Sequence, residues 1–303
     1  MSDKEHVGFI GVGLMGHGMA KNILEKGYPL TVMGNRNRKP VDDLVGRGAK
    51  ETTSPKEMAE TCDVIHLCVT SSVQIEDLCR REDGLLAGAR EGLIVIDCST
   101  ADPTSTMRLA EEFEAKGATF MDAPLGQTPK EAATGNLNAF VGADDATFAK
   151  VRPILETWAA NITHMGPVGA GHKAKLINNF LALGYNALYA EAFTACRKAG
   201  IDLEKFRELI SGGGINSPMF QRMSNYVIGG DPEAHLFTLD NCLKDIKYFS
   251  QMADDAGMAA PMAGSIKASY HMAVAQGGGS EHMPMLTDYV SVASGAEKTV
   301  PKR

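Results

Sequence analysis

An apolar run, Val7–Gly11, leads straight into Gly11-Val12-Gly13-Leu14-Met15-Gly16 and then into the helical spacing of Met15–Lys26. Strand, glycine-rich turn and helix in that order commit the start of the chain to a βα unit. The glycines allow a tight turn and a close approach of backbone N–H groups to a pyrophosphate, and the helix N-terminus adds partial positive charge. A G-x-G-x-x-G match alone is weak, but here it stands in the strand–turn–helix context that its mechanism needs. The plainer alternative is an ordinary glycine-rich turn. The pattern's place at the first strand of a doubly wound rhythm favours a dinucleotide site, with Gly11, Gly13, Leu14, Met15 and Gly16 as its cofactor-binding residues.

That rhythm continues to about residue 165. Strands are predicted at Val7–Gly11, Leu30–Met33, Val64–Val69, Leu93–Asp97, Thr119–Asp122 and Asn138–Val141. Their nearly unbroken apolar runs suit strands covered by helices on both faces. Helical stretches such as Ser105–Lys116 lie between them, and Gly27 and Gly117 stand where C-caps belong. Met165-Gly166-Pro167 breaks the pattern. A long helix is predicted over about 171–198, stopped by Gly200; at 1.5 Å per residue it would run roughly 40 Å. Leu176, Ile177, Phe180, Leu181, Leu183, Ala187, Leu188 and Ala192 leave little of it polar, so it is expected to be buried on most sides, between domains and against another subunit. Beyond residue 200 only helices are expected, at Leu203–Ile210, Phe220–Ile228, Leu243–Ala256 and Gly264–Ala275. The fold class is therefore α/β: a Rossmann-type doubly wound sheet over 1–165, then an all-helical substrate and dimerisation domain over 166–303.

A formal charge of −7 argues against nucleic-acid or anionic-membrane partners. The N-terminus shows no signal-peptide pattern, and no apolar run nears the roughly 18 residues that span a bilayer, so a cytoplasmic protein is expected. Cys62, Cys68, Cys79, Cys98, Cys196 and Cys242 are scattered without a C-x-x-C pair or Cys/His cluster, which points to reduced thiols and no metal.

An NAD-preferring site ends its second strand on an acid that holds the ribose hydroxyls. Here Met33-Gly34-Asn35-Arg36-Asn37-Arg38-Lys39 carries no acid and three positive charges. A 2′-phosphate needs cationic donors and is repelled by a carboxylate, so the segment suits NADP(H), with NAD(H) possible. Arg36 is the first choice of phosphate ligand, with Asn35 and Arg38 beside it; the plain alternative is a solvated basic loop.

The long helix opens with Gly169-Ala170-Gly171-His172-Lys173-Ala174-Lys175-Leu176-Ile177-Asn178-Asn179, which puts Lys175 and Asn179 one turn apart on one face. Reduction of a carbonyl leaves alkoxide charge that must be protonated, and an ammonium group whose pKa is lowered by burial can do that near neutrality. A lysine snorkelling from the helix end would look the same in the helical pattern. His164 and His172 flank the segment and are assigned no role.

These residues resemble the β-hydroxyacid dehydrogenase family over nearly all of residues 6–290. Gly8-Phe9-Ile10-Gly11-Val12-Gly13-Leu14-Met15-Gly16 is similar to its cofactor signature, and Asp122-Ala123-Pro124 to the start of its substrate motif. Gly169-x-Gly171-x-x-x-Lys175-x-x-x-Asn179 is similar to its catalytic motif, and Lys244-Asp245 after Phe237 to its C-terminal motif. The resemblance implies an acid/base role for Lys175 and a substrate-placing role for Asn179. It implies that Thr100 sits beside the nicotinamide, that Val69 lies against the cofactor, and that Lys244 reaches the cofactor from the second domain. Phe237 and Asp245 would face the substrate. A homodimer or homotetramer is implied as well.

The substrate motif departs from the family pattern. Leu125-Gly126-Gln127-Thr128 puts Gly126 where many members carry a carboxylate-binding serine. Its Gly-x-Thr form resembles the sulfolactaldehyde reductase subgroup, but Gln127 replaces that subgroup's arginine and supplies no charge. Substrate contacts are expected from Thr100, Gly126, Gln127, Thr128, Asn178 and Asn179. The expected activity is hydride transfer between a nicotinamide cofactor and a short, anionic 3-hydroxy acid or its semialdehyde. The alternatives are an imine reductase and a dinucleotide-binding module without catalysis.

Overall fold

In a computed structural model of the chain, residues 4–34 and 37–299 are described. They divide into two compact units, residues 1–175 and 176–303, with the division falling inside the long helix, beyond the Gly166-Pro167 break.

Among the described residues the first unit holds nine strands: β1 (Val7–Ile10), β2 (Leu30–Met33), β3 (Lys50–Glu51), β4 (Val64–Leu67), β5 (Ile94–Asp97), β6 (Thr119–Asp122), β7 (Leu125–Gly126), β8 (Leu137–Gly142) and β9 (Ala159–Gly166). The first six pair in parallel in the order β3-β2-β1-β4-β5-β6, the order of a dinucleotide-binding sheet. β8 pairs antiparallel to β6 and β7 and parallel to β9. The period of two along each strand sorts the apolar residues onto both faces. Phe9, Val64, Ile94 and Ile96 pack into one core, while Ile10, Ile65, Leu67 and Val95 pack into another on the opposite face. Every residue of β1, β4 and β5 is buried, which is why these strands read as unbroken apolar runs.

Three strands carried no such signal. β3 is two exposed charged residues at a sheet edge, β7 is two residues long, and β9 alternates exposed Asn161, Thr163 and Met165 with half-buried Ile162 and His164. Gly27 and Gly117 take the left-handed conformation of helix ends, with φ of 84° and 71°.

The long helix spans Ala170–Ala199 and ends at Gly200, with φ 69°. Within this single chain the helix is covered on one side. Leu176, Leu183, Ala187, Ala190 and Phe193 are buried, whereas Ile177, Leu181, Tyr185 and Leu188 are about half exposed. At 100° per residue these two sets lie on different faces, and the chain covers only one of them. Other helices of the second unit are Leu203–Ser211, Pro218–Val227, Leu239–Asp255, Pro261–Ala273 and Leu286–Ala293. The second and third of these start earlier than the apolar spacing predicts because Ser217 and Thr238 cap them, accepting from Phe220 N–H and Asn241 N–H. All six cysteines are free. Among the described residues no helix is long and apolar enough to cross a membrane.

Candidate active site

In the first unit the candidate cofactor residues follow the carboxyl ends of β1, β2, β4 and β5, and β6 ends on the first residue of the substrate motif. β1 and β4 are neighbours at the point where the strand order reverses, which is where open α/β sheets bind ligands. Gly11 closes β1 with φ 97°, and a Cβ there would lie 2.2 Å from the Cys68 carbonyl oxygen, so only glycine fits. Gly13 faces open space, and Leu14 is 78% exposed. The helix Gly16–Glu25 starts without a side-chain cap on its N-terminus. Narrow at its base, open at its middle and backed by an uncapped helix, the turn fits a pyrophosphate.

Asn35 and Arg36 lie outside the described residues. Arg38 is already engaged. Its guanidinium forks onto Glu51 at 2.5 and 2.9 Å and reaches Asp42 at 3.0 Å, and these bonds raise its pKa further. The expectation that Arg38 lies beside a 2′-phosphate thus concerns a side chain whose charge already meets two carboxylates of its own unit.

At the next strand ends, Val69 N–H donates to Ser99 Oγ at 3.0 Å, joining the end of β4 to the loop after β5. Ser99 N–H donates to Asp97 Oδ1 at 2.9 Å, and half-buried Thr100 follows. Asp122, the last residue of β6, is fully buried. Its carboxylate accepts from Gly169 N–H and His172 N–H, both at 2.6 Å, and so caps the long helix from a neighbouring strand. Burial pushes this carboxyl up to about 6, against the pull of the backbone N–H groups.

His172 is also fully buried. Its Nε2 lies 3.2 Å from the Ser99 carbonyl and its Nδ1 2.7 Å from Thr106 Oγ1. The Asp97 and Asp122 carboxylates stand 3.7 and 3.8 Å from the ring nitrogens. Lys175, half-buried, is three residues further along the same helix. Sequence reasoning named Asp122 only as the start of a motif and left His172 without a role. Their link spans residues far apart in the chain, and a fully buried histidine beside Gly171 is its only local sign. His164, the other flanking histidine, stacks on Phe148 and bonds the Ala143 carbonyl at 2.7 Å.

In the substrate segment, Gly126 is buried and pairs with Asn138 of β8. A Cβ there would meet the Asn138 Cβ at 3.1 Å, so a serine would be crowded. Gln127 is exposed with φ 84°, the one non-glycine residue with positive φ among those described. Thr128, an expected substrate contact, is engaged locally. It caps the helix Pro129–Thr134, accepting from Lys130 N–H, and its hydroxyl donates to Glu131.

Within the second unit, Asn179 is buried and its amide donates to Asp245 Oδ2 at 2.6 Å. Exposed Asn178 donates to Asn179 Oδ1 at 3.1 Å. Asp245, 1% exposed, also pairs with Lys244 Nζ at 2.8 Å. An ionised carboxylate only accepts, so Asp245 fixes which end of the Asn179 amide faces it. Half-buried Phe237 packs against the helical core.

Two family models match the chain. Residues 6–166 match the NAD binding domain of 6-phosphogluconate dehydrogenase, and residues 169–289 match the NAD-binding region of NADP-dependent 3-hydroxyisobutyrate dehydrogenase. The chain is 29% identical to glyoxylate/succinic semialdehyde reductase 2 of Arabidopsis thaliana, over 96% of this chain and 81% of the relative. It is also 29% identical to 3-sulfolactaldehyde reductase of Escherichia coli (strain K12), over 95% of this chain and 97% of the relative. The structure is similar to the crystal structure of 3-hydroxyisobutyrate dehydrogenase from Salmonella typhimurium, with a TM-score of 0.82, 26% identity, and coverage of 94% of this chain and 99% of that one. With motifs, sheet order and whole-length likeness in agreement, the chain belongs to the β-hydroxyacid dehydrogenase family and is a nicotinamide-dependent oxidoreductase acting on a CH–OH group.

Proposed function

We propose that the protein is an NADP(H)-preferring enzyme that interconverts a short β-hydroxy acid and its semialdehyde, with Lys175 as the general acid/base. The observation that carries this reading is the anchorage of the turn preceding Lys175 to the strand ends of β5 and β6, where Thr100 lies. Bound nicotinamide supplies or accepts the hydride at the substrate carbon. The Lys175 ammonium gives its proton to the oxygen as the carbonyl is reduced, and the neutral amine takes it back in the oxidation. Asn179, one turn on along the helix, places the substrate oxygen, and the Asp245 bond holds its amide for that task. The backbone around Gly126 and the amides of Gln127 and Asn178 contact the anionic tail. From the second unit we assign Lys244 to the cofactor and Phe237 to the substrate.

The names of the relatives, a glyoxylate/succinic semialdehyde reductase and a 3-sulfolactaldehyde reductase, support a short anionic aldehyde as the substrate class, and the neutral Gln127 favours a weakly held anion over one gripped by a guanidinium. Asn35 and Arg36 carry the NADP preference, because Arg38 is tied to Glu51. The exposed apolar stripe of Ile177, Leu181, Tyr185 and Leu188 supports association of copies into a homodimer or homotetramer.

NADPH oxidation against succinic semialdehyde, glyoxylate and tartronate semialdehyde tests the activity. Lys175→Ala is expected to lower kcat by about 10²–10⁴ while NADPH binding stays within a few-fold of wild type. Turnover of the variant near wild-type rates would remove the proposal. Reduction of a cyclic imine but of no aldehyde would replace it with imine reduction.

A further inference from the structure

We propose that His172 is a positioning residue for the reaction, a strut that holds the turn bearing Lys175 in register with the loop bearing Thr100. The inference rests on the reading of Lys175 as the proton donor. Three titratable side chains, Asp97, Asp122 and His172, are buried together with at most 1% exposure. Such a group is costly to bury unless its hydrogen bonds are met. Asp122 has its own purpose in the two N–H groups of the helix end. Capping does not need the His172 side chain, so its burial calls for another cause.

That cause lies in what the ring joins. A carbonyl oxygen can only accept, so the 3.2 Å contact to Ser99 requires a proton on Nε2. On the other edge, Thr106 Oγ1 stands 2.7 Å from Nδ1 and 3.1 Å from the Asp102 carbonyl. In the neutral ring Nδ1 accepts the threonine proton. In the imidazolium Nδ1 donates to the threonine, which donates in turn to Asp102. Both forms keep the same ring orientation and the same bond to Ser99.

The bond to Ser99 has direct geometric consequences. Ser99 precedes Thr100, and its hydroxyl also holds the Val69 N–H. His172 precedes Lys175 by three residues, within one helical turn. The ring therefore braces two residues assigned to the nicotinamide end against the turn that carries the proton donor. Asp122 sets the height of that turn through its main chain, and His172 sets its lateral position through a side chain. Misplacement of a reacting group by about 1 Å can cost about 10²-fold in rate, so loss of the strut should be read in kcat rather than in cofactor binding.

The test compares His172→Leu, His172→Gln and Thr106→Val, with kcat counted per NADPH-binding site so that unfolded protein does not enter. The substrate is the panel aldehyde that the wild type turns over fastest. His172→Leu should lower kcat at least about 10-fold with the KM for NADPH within about 3-fold, and the glutamine amide, which can still donate to Ser99, should restore kcat several-fold over leucine. Thr106→Val, which frees one edge of the ring, should lower kcat more than about 3-fold. A smaller loss in His172→Leu overturns the strut, as do equal losses in the leucine and glutamine variants. If His172→Leu does not fold, Thr106→Val decides by the same 3-fold mark. Lys175→Ala, run alongside, separates the two failures. An active Lys175→Ala removes the reading beneath the strut, and an inactive one with unaffected His172 variants removes the strut alone.

Discussion

Replacing Gly171 by alanine sets two physical effects against each other. Within a helix, alanine is favoured over glycine by about 1 kcal/mol, so helix propensity alone predicts a more stable protein. At this position the added Cβ would lie 2.1 Å from the Phe140 carbonyl oxygen and 2.8 Å from Asp122 Oδ2. Opening the first contact to 3.0 Å requires a displacement of 3.0 − 2.1 = 0.9 Å between the helix turn and β8. Neither partner can swing aside, because one is strand backbone and the other is the buried carboxylate that caps the helix. Overpacking of this kind costs about 1–3 kcal/mol. Stretching the Asp122 bonds to Gly169 and His172, now 2.6 Å, gives up part of two charge-assisted bonds worth about 1.5–3 kcal/mol each. Against the gain of about 1 kcal/mol, the expected net loss is about 2–4 kcal/mol, or on the order of 5–10 °C in the melting of the first unit. The control is Gly264→Ala, on the exposed face of the helix Pro261–Ala273 near its start, where a Cβ meets nothing within 4 Å among the described residues and should add up to about 1 kcal/mol. Scanning calorimetry of both variants gives the answer. A Gly171→Ala protein that melts at or above the wild type would show that the helix end is not pinned against β8 as described.

Three further outcomes follow from single residues. His66 is fully buried between Phe9 and Trp158, with no hydrogen-bond partner among the described residues, and burial lowers its pKa to about 3. A folded-state pKa below the unfolded value of about 6.5 means stability present above pH 6.5 and lost as pH falls towards 3, at about 1.4 kcal/mol per unit. His66→Phe should therefore gain about 2 kcal/mol on the wild type between pH 7.5 and 5 in urea unfolding, and an unchanged difference would refute it. Arg36→Ala should raise the KM for NADPH about ten-fold or more and leave NADH kinetics alone, whereas Arg38→Ala, already paired with Glu51, should discriminate less between the cofactors. Leu181→Asp with Leu188→Asp should reduce the particle mass by light scattering, and an unchanged mass would clear the exposed stripe of any part in assembly.

How much of the fold was legible in the chain depended on burial. The six strands that carry apolar runs, β1, β2, β4, β5, β6 and β8, are found within a residue or two of where those runs lie, because burial leaves few polar positions to blur them. β3, β7 and β9 were not, since edge or two-residue strands need only backbone partners and put no demand on their side chains. Helix beginnings in the second unit were missed by a few residues because Ser217 and Thr238 act through a cap, which apolar spacing does not register. On the long helix, little of which is polar, this chain leaves Ile177 and Leu188 about half exposed. Composition reports that a face will be covered, and is silent on whether the chain itself covers it.

The site divides along the same line. Gly11, Lys175 and Asn179 stand in local frames whose spacing has a mechanical reason, so their likeness to a family is visible in the chain. For Arg38 and Thr128 a side chain's chemistry says what it can bind, and only its neighbours say what it has already bound: Glu51 holds the one and Glu131 the other. Asp122 and His172 are the converse, residues whose partners lie 50 and 73 positions away in the contacts to His172 N–H and Ser99 O. Gly171 is where the two kinds of information meet. In the chain it is one glycine of a Gly-x-Gly motif at a helix start, where propensity disfavours it. In the fold it is the gap through which Asp122 reaches the helix end beside β8. A residue kept against its own local preference marks a contact made from elsewhere, and following that contact leads from the helix start to the buried histidine beneath Lys175.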